Sequence, residues 1–389
     1  MRVARIITRL NIGGPSIQAA TLSARLTQRG FETLLIHGRL GAGEGDMRYL
    51  LDQSVETRYV HALQRPVNPV QDSLALAELY RALCRFRPAI VHTHMAKAGA
   101  IGRVATAIYN RTAGRDARAR VVHTYHGHVL EGYFSPAKTR AFLSVERTLA
   151  RVTDRLIAIS PRIRKELLDD YRIGRPEQYH VVPLGFDLDR LTSIGDADRR
   201  AARAALGIPA EAAVVSTAGR LTAIKRYDLF LDTARLVADR HSEALFLVAG
   251  DGELRAALEA QARANGIADR VSFLGWRRDL DTLYAASDVF LLTSRNEGTP
   301  VALIESLAAA VPGVSTDVGG VRDVIDSDRV GLLAPFGDAR ALADHVQALL
   351  ADRDRRRRMG EAGRQAVASR YGLDRLIGDV ERLYRELLH

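Results

Sequence analysis

VFLLTSRNEGTPVALIES, residues 289–306, joins a short apolar run to the start of an amphipathic helix. The run at 289–293 has the composition of a buried strand, and Pro300 suits the first helical position because it needs no N–H donor. Gly298 permits a tight turn between the two. A strand that runs directly into a helix is the repeating unit of an α/β protein with a parallel sheet.

The same alternation extends along the chain in both directions. Strands are predicted at 2–8, 32–37, 89–92, 121–124, 155–159 and 179–183, and again at 213–218, 244–249, 271–274, 289–293, 313–316 and 331–334. Helices are predicted at 16–29, 72–86, 97–109, 138–151 and 161–169, then at 197–206, 226–240, 253–265, 279–286, 300–310, 320–326, 338–351 and 374–388. The connection at 185–213 is punctuated by Gly, Asp and Pro, after which the pattern restarts. We therefore expect two Rossmann-like, doubly wound parallel-sheet domains, with ligands at the carboxyl ends of the strands, in a cleft between the domains.

Composition excludes several classes of protein. The 389 residues are 47% hydrophobic, which is far from a disordered composition. Cys84 is the single cysteine, so a disulfide framework and a cysteine-based zinc site are both excluded. The apolar stretch at 2–8 is too short for a signal peptide, and no apolar run reaches about 18 residues. These features predict a cytoplasmic chain.

Charge is distributed unevenly. Residues 1–190 hold 29 Lys and Arg against 17 Asp and Glu, whereas the remainder holds 27 against 29. The basic half, especially 97–120 and 138–165, favours a phosphate-rich partner or peripheral contact with an anionic membrane. Solvated helix faces account for part of the excess. No aromatic-interleaved basic motif, zinc finger or helix-turn-helix is present, so we expect no nucleic-acid partner.

Two carboxylates mark the loop and helix that follow strand 289–293. The helix N-terminus, with its free N–H groups and positive dipole end, suits a phosphate or a sugar hydroxyl. Glu297 lies just before the helix and Glu305 lies a turn and a half into it, where carboxylates can accept from paired sugar hydroxyls. The alternative is that Glu297 caps the helix and Glu305 is a surface residue.

GRLTAIKR, residues 219–226, follows another predicted strand. Gly219 allows close backbone approach, and Arg220 and Lys225 can grip a diphosphate. An ordinary basic loop is the alternative. Gly250 and Gly252 in VAGDGELRAAL form a further turn between strand and helix, although they do not form a GxGxxG motif.

In the first half, the glycines of GGP at 13–15 allow a ligand close to the backbone, or form a purely structural turn. Histidines also cluster there, at His92, His94, His123, His126 and His128. A metal site would need a partnering acid, and none is evident, so we expect a polar strand end lining the cleft. His126 is the candidate for contact with a sugar.

Together these motifs resemble the family-four retaining glycosyltransferases of the GT-B fold, over nearly the whole chain and in order. The matching segments are GGP at 13–15, HTYHGH at 123–128, VVPLGFDLDRL at 181–191, GRLTAIKR at 219–226 and EGTPVALIE at 297–305. The resemblance implies an acceptor-binding domain at 1–190, completed by a C-terminal helix at 370–389 that crosses back to it. It implies a donor-binding domain at 191–369.

The resemblance also implies roles for individual residues. Arg220 and Lys225 would bind the donor diphosphate, Glu297 the donor sugar and Glu305 the ribose. Further donor contacts would come from Gly219, Gly250 and Gly252, from the N–H groups of Gly298, Thr299 and Val301, from Gly14 beside the phosphates, from His126 near the reaction centre, and from Trp276 beside the base. No cofactor and no metal is expected.

Two positions depart from the family pattern after the second carboxylate. Ala310 stands where glycine ends the helix with positive φ; alanine there would cost about 1 kcal/mol or force another helix ending. Asp323 replaces a common Glu in the loop that begins at Gly319. Upstream, Leu184 replaces an Asn in the linker motif.

The function expected from the resemblance is retaining transfer of a hexose or N-acetylhexosamine. The donor would be a nucleotide-diphosphate sugar, and the acceptor a saccharide or lipid-linked glycan in cell-surface polysaccharide synthesis. Two alternatives stay open: a nucleotide-sugar epimerase on the same fold, and a nucleotide-sugar-binding protein that has lost catalysis.

Overall fold

A computed structural model describes residues 1–11, 13–41, 44–114, 117–126 and 136–388, apart from the side chains of residues 50, 136 and 137. The chain divides into two compact units. Unit 1 is Met1–Gly185 with Asp374–His389, and unit 2 is Phe186–Leu373. The boundaries expected from the sequence lie within about five residues of these.

Unit 1 alternates strands with helices, and labels here follow chain order throughout. Its elements are β1 Arg2–Ile7, α1 Gly14–Gln28, β2 Glu32–Gly38, β3 Glu56–Val60, α2 Pro69–Phe86, β4 Ile90–His94, α3 Ala96–Thr112, β5 Arg120–Tyr125, α4 Pro136–Ala150, β6 Arg155–Ala158, α5 Pro161–Lys165, β7 Tyr179–Val181 and the C-terminal α14 Leu373–Leu388. In the described part of unit 1 these strands form one parallel sheet in the order β3-β2-β1-β4-β5-β6-β7. The order reverses between β1 and β4.

The C-terminal helix α14 is part of unit 1, and Tyr384 connects it to the sheet. The buried Arg5 of β1 donates to the hydroxyl of Tyr384 over 3.0 Å and to Ser23 Oγ of α1 over 2.8 Å. His92 of β4 contacts the same hydroxyl at 2.5 Å. Residues 379 positions apart therefore share one buried hydrogen-bond network.

Unit 2 is described in full. Its elements are α6 Asp189–Thr192, α7 Asp196–Ala205, β8 Val214–Ala218, α8 Tyr227–Ala238, β9 Leu245–Ala249, α9 Arg255–Ala264, β10 Val271–Gly275, α10 Leu280–Ala286, β11 Val289–Leu292, α11 Val301–Ala308, β12 Gly313–Thr316, β13 Gly331–Ala334, α12 Ala339–Ala351 and α13 Arg353–Tyr371. The parallel sheet runs β10-β9-β8-β11-β12-β13, and its order reverses between β8 and β11.

The central strands of unit 2 are buried along their whole length, as in a parallel sheet covered on both faces. Phe230 of α8 packs edge-on against Phe246 of β9, with ring centroids 6.4 Å apart. These features confirm the expected pair of Rossmann-like α/β domains.

Helix α11 ends in a Schellman motif in which alanine takes the glycine position. Ala310 has φ of +57°. Its N–H donates to Leu307 O, and the N–H of Val311 donates to Ser306 O, both over 2.9 Å. Of the two outcomes expected for Ala310, the first is therefore observed: the helix ends with a left-handed residue, as in the family pattern. Alanine adopts this backbone although it is unfavourable for a residue with a Cβ.

Three sequence predictions were wrong. The strand β3 was missed because its residues, ETRYV, are mostly exposed at the edge of the sheet. The helix α13 was missed because its basic start concealed a buried face, in which Gly363 leaves no room for a Cβ against Leu307. The helix predicted at 320–326 is only a 3-10 turn, Gly319–Val321, opened by two glycines.

Candidate donor site and histidine cluster

Lys225 and Glu297 form an ion pair at the switch point of the unit 2 sheet. The loop after β8 carries Lys225 and the loop after β11 carries Glu297, and these strands are the neighbours between which the order reverses. Lys225 Nζ lies 2.6 Å from Glu297 Oε1. The carboxylate is buried at 8% exposure, whereas the lysine is 28% exposed. Ligands of doubly wound folds bind outside the carboxyl ends of strands at this point.

Glu297 is fixed by its side chain and its backbone. Ser294 Oγ donates to Oε1 over 2.6 Å, so Lys225 and Ser294 bond the same oxygen. The N–H of Gly320 donates to the Glu297 carbonyl over 2.7 Å, and a Cβ on Gly319 would lie 2.1 Å from that carbonyl. In unit 2 the second carboxylate oxygen, Oε2, has no hydrogen-bond partner.

The loop that carries Lys225 is tied to the end of β11. Thr293 Oγ1 donates to the carbonyls of Lys225 over 3.2 Å and Arg226 over 2.9 Å. The N–H of Arg295 donates to Ile224 O over 2.8 Å. Sequence reasoning missed Thr293 and Ser294, although hydroxyl residues directly after a buried strand were the available signal.

The glycines Gly219, Gly250 and Gly252 allow two loops to pack backbone against backbone. Gly219 and Gly250 have φ of +150° and +139°. A Cβ on Gly250 would lie 1.9 Å from Gly219 O, and one on Gly252 would lie 2.5 Å from Leu221 O. The structure thus places Gly250 and Gly252 against the 219–226 loop, which they position.

Arg220 is exposed, and no ion-pair partner for it exists in the described chain. In the loop after β11, the N–H groups of Gly298 and Thr299 have no backbone acceptor among the described residues. The N–H of Val301 differs from the prediction, since it donates to Thr299 O over 2.9 Å. Pro300 is the N-cap and not the first helical residue.

Glu305 faces Tyr284, whose hydroxyl donates to Oε2 over 2.8 Å. Burial raises the pKa of Glu305, and the bond from Tyr284 partly offsets this. The pKa of the buried Tyr284 hydroxyl is raised well above its usual value by the same burial. Glu305 is therefore a half-buried group with a partner and not a free surface carboxylate.

Trp276 follows β10 at the edge of the unit 2 sheet, and it is 67% exposed. The preceding carbonyl, of Gly275, accepts from the N–H of Gly250 over 2.8 Å. This bond links the Trp276 turn to the glycine loops beside β8. An exposed indole at this edge offers a flat surface for stacking.

Three histidines of unit 1, His92, His94 and His126, form a connected cluster at the ends of β4 and β5. His94 Nδ1 lies 2.9 Å from His126 Nε2, and His94 stacks on His92 with centroids 4.3 Å apart. His92 Nε2 contacts Thr124 Oγ1 at 2.7 Å. Burial lowers the pKa of His92 and His94 well below the usual value and that of His126 to about 3, so these imidazoles are neutral at pH 7.

The switch point of unit 1 holds a strained residue that sequence reasoning missed. Met95, directly after β4, has φ of +67° and ψ of 156°, a region used almost only by glycine. Gly13 precedes α1 with φ of +154°, and Gly14 is the first helical residue. The segments after β1 and β4, the two neighbouring strands at the switch point, thus each carry a residue with positive φ.

His126 and Gly14 belong to unit 1, whereas the other predicted site residues belong to unit 2. His128 lies outside the described residues. Among the residues that are described, no three His, Cys, Asp or Glu side chains converge as metal ligands. Over the same residues, every helix is too short or too polar to cross a bilayer.

The basic segments of unit 1 are partly neutralised. Lys97 pairs with Asp72 at 2.6 Å, and the fully buried Arg103 makes two bonds of 2.9 and 2.8 Å to Glu146. In contrast, Lys138 is exposed and has no ion-pair partner within the described chain. The segment at 97–120 is therefore less basic in effect than its composition implied.

Two family models match the chain. The model described as Glycosyltransferase Family 4 matches residues 12–190, and the model described as Glycosyl transferases group 1 matches residues 198–366. Each match falls almost wholly within one of the two units.

Two curated relatives illustrate the similarity. The chain is 29% identical over 298 residues to the Escherichia coli UDP-Gal:alpha-D-GlcNAc-diphosphoundecaprenol alpha-1,3-galactosyltransferase, covering 76% of this chain and 74% of that protein. It is 28% identical over 390 residues to the D-inositol 3-phosphate glycosyltransferase of Xylanimonas cellulosilytica, covering 93% of this chain and 89% of that protein.

Solved structures share the fold. A glycosyltransferase from Rickettsia africae superposes with a TM-score of 0.84 at 17% identity, covering 100% of this chain and 98% of that one. Anabaena HepE in complex with UDP superposes with a TM-score of 0.82 at 21% identity, covering 99% and 100%. Because its two units match two glycosyltransferase models and its fold matches these structures, the chain belongs to the family-4-type glycosyltransferases of the GT-B fold.

Proposed function

We propose that the enzyme is a retaining transferase that moves a hexose or N-acetylhexosamine from a nucleotide-diphosphate sugar to a saccharide or lipid-linked glycan. One observation carries the donor half of this proposal: the Lys225–Glu297 pair at the switch point of unit 2, in which one carboxylate oxygen has no partner in the part of the chain that the structure describes. In this pair, Lys225 is a cation that can bind phosphate, and the adjacent Glu297 is an acceptor for sugar hydroxyls.

The chemistry assigned to Lys225 follows from its contacts. Glu297 and Ser294 orient the ammonium through Oε1, and the remaining ammonium hydrogens can donate to phosphate oxygens. Arg220, exposed and unpaired, supplies a second cation. Together they stabilise the charge that develops on the departing nucleotide diphosphate without requiring a metal.

Glu297 Oε2 is the proposed acceptor for hydroxyls of the donor sugar. A carboxylate oxygen that is held in place but unbonded is preorganised for this role. Glu305, with its raised pKa and its bond from Tyr284, would hold the ribose. Trp276 would lie beside the base.

The donor base is proposed by analogy with relatives. The E. coli relative is named for UDP-Gal, and the Anabaena structure holds UDP. A UDP-hexose is therefore the first donor to test. That same E. coli relative is named for a diphosphoundecaprenol-linked acceptor, which supports a lipid-linked acceptor and a role in cell-surface polysaccharide synthesis.

Retention is proposed to arise by attack from the face that the leaving group occupies, with a donor phosphate oxygen as the base. None of the sequence motifs supplies a well-placed nucleophile for a covalent intermediate. His126, neutral because of burial, would contact the donor sugar as a hydrogen-bonding group. Trapping of a glycosyl-enzyme would contradict this pathway.

We place the enzyme in the cytoplasm, in peripheral contact with an anionic membrane. Exposed cations on and after α4, including Lys138, Arg140 and Arg151, support this placement. Co-sedimentation with neutral and anionic vesicles tests it, and equal binding to both would overturn it.

A donor screen followed by a transfer assay tests the function. Thermal unfolding is measured with UDP-, GDP-, ADP- and dTDP-sugars, because a ligand that binds the native state raises the midpoint. The stabilising donor is then supplied with a diphosphate-lipid-linked saccharide, and the anomeric configuration of the product is read by NMR. We expect a retained anomer. An inverted anomer, or epimerised donor in a reaction without acceptor, would overturn the proposal.

A further inference from the structure

Unit 2 has a cavity of about 680 Å³ at the amino edge of its sheet. Residues just before three strands line it: Ala213 before β8, Asp288 before β11 and Pro312 before β12. The Lys225–Glu297 pair lies at the opposite edge, one strand length or about 16 Å away along β8. The cavity is thus separate from the proposed donor site.

Arginines dominate the charge of this cavity. Its lining includes seven of them, from α7 and α13, and three carboxylates: Arg199, Arg200, Arg203, Arg353, Arg356, Arg357 and Arg364 against Asp196, Glu211 and Asp288. Lysine and histidine are absent from the lining. The excess of four positive charges comes from the basic run that starts α13 and from a face of α7.

The single buried carboxylate does not neutralise this group. Asp288 accepts from Arg199, from Arg203 over 2.7 Å and from the N–H of Val214, and it forms a longer ion pair with Arg356 at 3.5 Å. One anion therefore serves three guanidinium groups. Burial lowers the pKa of Arg199, attraction to Asp288 opposes this, and repulsion from Arg203 and Arg356 adds to the lowering.

The other arginines keep unused donors. Arg200, Arg353 and Arg357 are exposed, and none has an ion-pair or hydrogen-bond partner in the described chain. Arg203 and Arg364, in contrast, already donate within unit 2: Arg203 to Asp288 and to the carbonyls of Ala210 and Ala212, and Arg364 to the carbonyl of Ile194. The donors that a ligand in the cavity can reach are therefore those of the three exposed arginines.

We propose that this cavity binds a phosphate-bearing anion, either a phospholipid headgroup or a soluble polyphosphate. Guanidinium groups match phosphate oxygens in geometry, and a concave cluster of them with excess charge favours a ligand with more than one negative charge. The site is formed by unit 2 alone. It does not depend on the donor or acceptor assigned to the enzyme.

The test uses two triple variants with the same change in net charge. In the first, Arg200, Arg353 and Arg357 of the cavity are replaced by Gln. In the matched control the replaced residues are Arg263, Arg340 and Arg358, which are likewise exposed, unpaired within the described chain and outside the lining. Each set is built in the full chain carrying Arg220→Ala and Lys225→Ala, so that the donor site does not contribute to the binding.

Inorganic pyrophosphate is titrated calorimetrically into each protein. We expect the cavity triple to bind at least tenfold more weakly than the parent, while the control triple binds like the parent. Equal loss in both triples would show that only net charge matters and would overturn the proposal. Absence of pyrophosphate binding to the parent would overturn it as well.

Vesicles distinguish the two sources of phosphate. Phosphatidylcholine vesicles are compared with vesicles of equal parts phosphatidylcholine and phosphatidylglycerol. If the cavity triple sediments less than the control triple with the anionic vesicles, the ligand is a lipid headgroup. If both sediment alike while pyrophosphate binding is lost only in the cavity triple, the ligand is a soluble polyphosphate.

Discussion

Lys225 Nζ and Ser294 Oγ both bond Oε1 of Glu297, each over 2.6 Å, and leave Oε2 of the same carboxylate without a partner among the described residues. The two oxygens of Glu297 therefore differ: Oε1 orients the Lys225 ammonium, and Oε2 can accept a hydrogen bond from a ligand. Sequence motifs assigned these two residues to separate parts of a donor. The geometry makes each depend on the other.

Glu297→Gln should reduce transfer on the order of a hundredfold, because the amide keeps the shape but removes the charge that orients Lys225. The free energy of unfolding should fall by about 1–2 kcal/mol, since the glutamate is buried but its partner is partly solvated. Steady-state kinetics and urea unfolding measure the two effects. Glu253→Gln, at an exposed and unpaired carboxylate of unit 2, is the control. Equal activity of both variants would contradict the assignment.

Ala310→Gly should stabilise unit 2 by about 1 kcal/mol, because the residue already has φ of +57° and glycine adopts this conformation without strain. The thermal midpoint should rise by about 2–4 °C for a domain of this size. The control is the opposite change, from glycine to alanine, at Gly360 of α13, which packs against the Ala310 carbonyl. Gly360→Ala should destabilise, since its Cβ would lie 2.1 Å from Ala310 O. A neutral or destabilising Ala310→Gly would show that the helix ends differently in solution.

Unit 1 should lose stability as pH falls below about 6.5. The pKa values of His92, His94 and His126 are lower in the folded chain than their usual 6.5, so the unfolded chain binds more protons in this range. The contribution of these histidines to the free energy of unfolding is therefore complete above pH 6.5 and is lost on acidification. Each histidine lowers the free energy of unfolding by up to about 1.4 kcal/mol per pH unit, and for His126 the loss continues down to about pH 3. Hydrogen exchange of peptides from β4 and β5, followed as a function of urea at each pH, measures the free energy of unfolding of unit 1.

Two variants separate the cluster from a general acid effect on unit 1. His92→Gln should make the pH dependence less steep, while His61→Gln, at an exposed position outside the cluster, should leave it unchanged. If both variants keep the wild-type slope, the buried imidazoles are not its source.

Tyr384→Phe should destabilise unit 1 by about 1–3 kcal/mol, because the lost hydroxyl leaves the buried Arg5 and His92 each short of a hydrogen bond. Chemical unfolding monitored by exchange of β1 and β4 peptides measures it. Tyr80→Phe removes a hydroxyl that contacts only Thr112 at an exposed position, and it should change stability by less than about 0.5 kcal/mol. A Tyr384→Phe protein as stable as that control would contradict a stabilising role for the hydrogen bonds of Tyr384 with Arg5 and His92.

The sequence predicted the parallel sheets well because their strands are buried on both faces and read as continuous apolar runs. It failed where burial was partial. Residues 56–60 lie at the edge of the sheet with three of their five side chains exposed, so they lack the continuous apolar run of a buried strand. The helix α13 packs through glycines and scattered apolar residues, so its basic start dominated the pattern.

The candidate site was predictable as a set of motifs but not as a set of contacts. The positions of Lys225 and Glu297 after two strands followed from spacing. That they pair with each other, and that Thr293 and Ser294 fix them, depends on strand order, which periodicity does not specify. For Ala310 the sequence left two outcomes open, a left-handed backbone at a cost or another helix ending, and only the structure decides for the first.

The discontinuity of unit 1 has a consequence for synthesis on the ribosome. Unit 2 is one continuous segment and can fold as soon as residue 373 has emerged, whereas unit 1 must wait for Asp374 onward. Until then Arg5 and His92 lack the hydroxyl of Tyr384 and remain unsatisfied in a nascent, incomplete domain. Unit 1 is therefore translated first but completes its folding last. A chain truncated before α14 should bind chaperones through unit 1, while its unit 2 is already native.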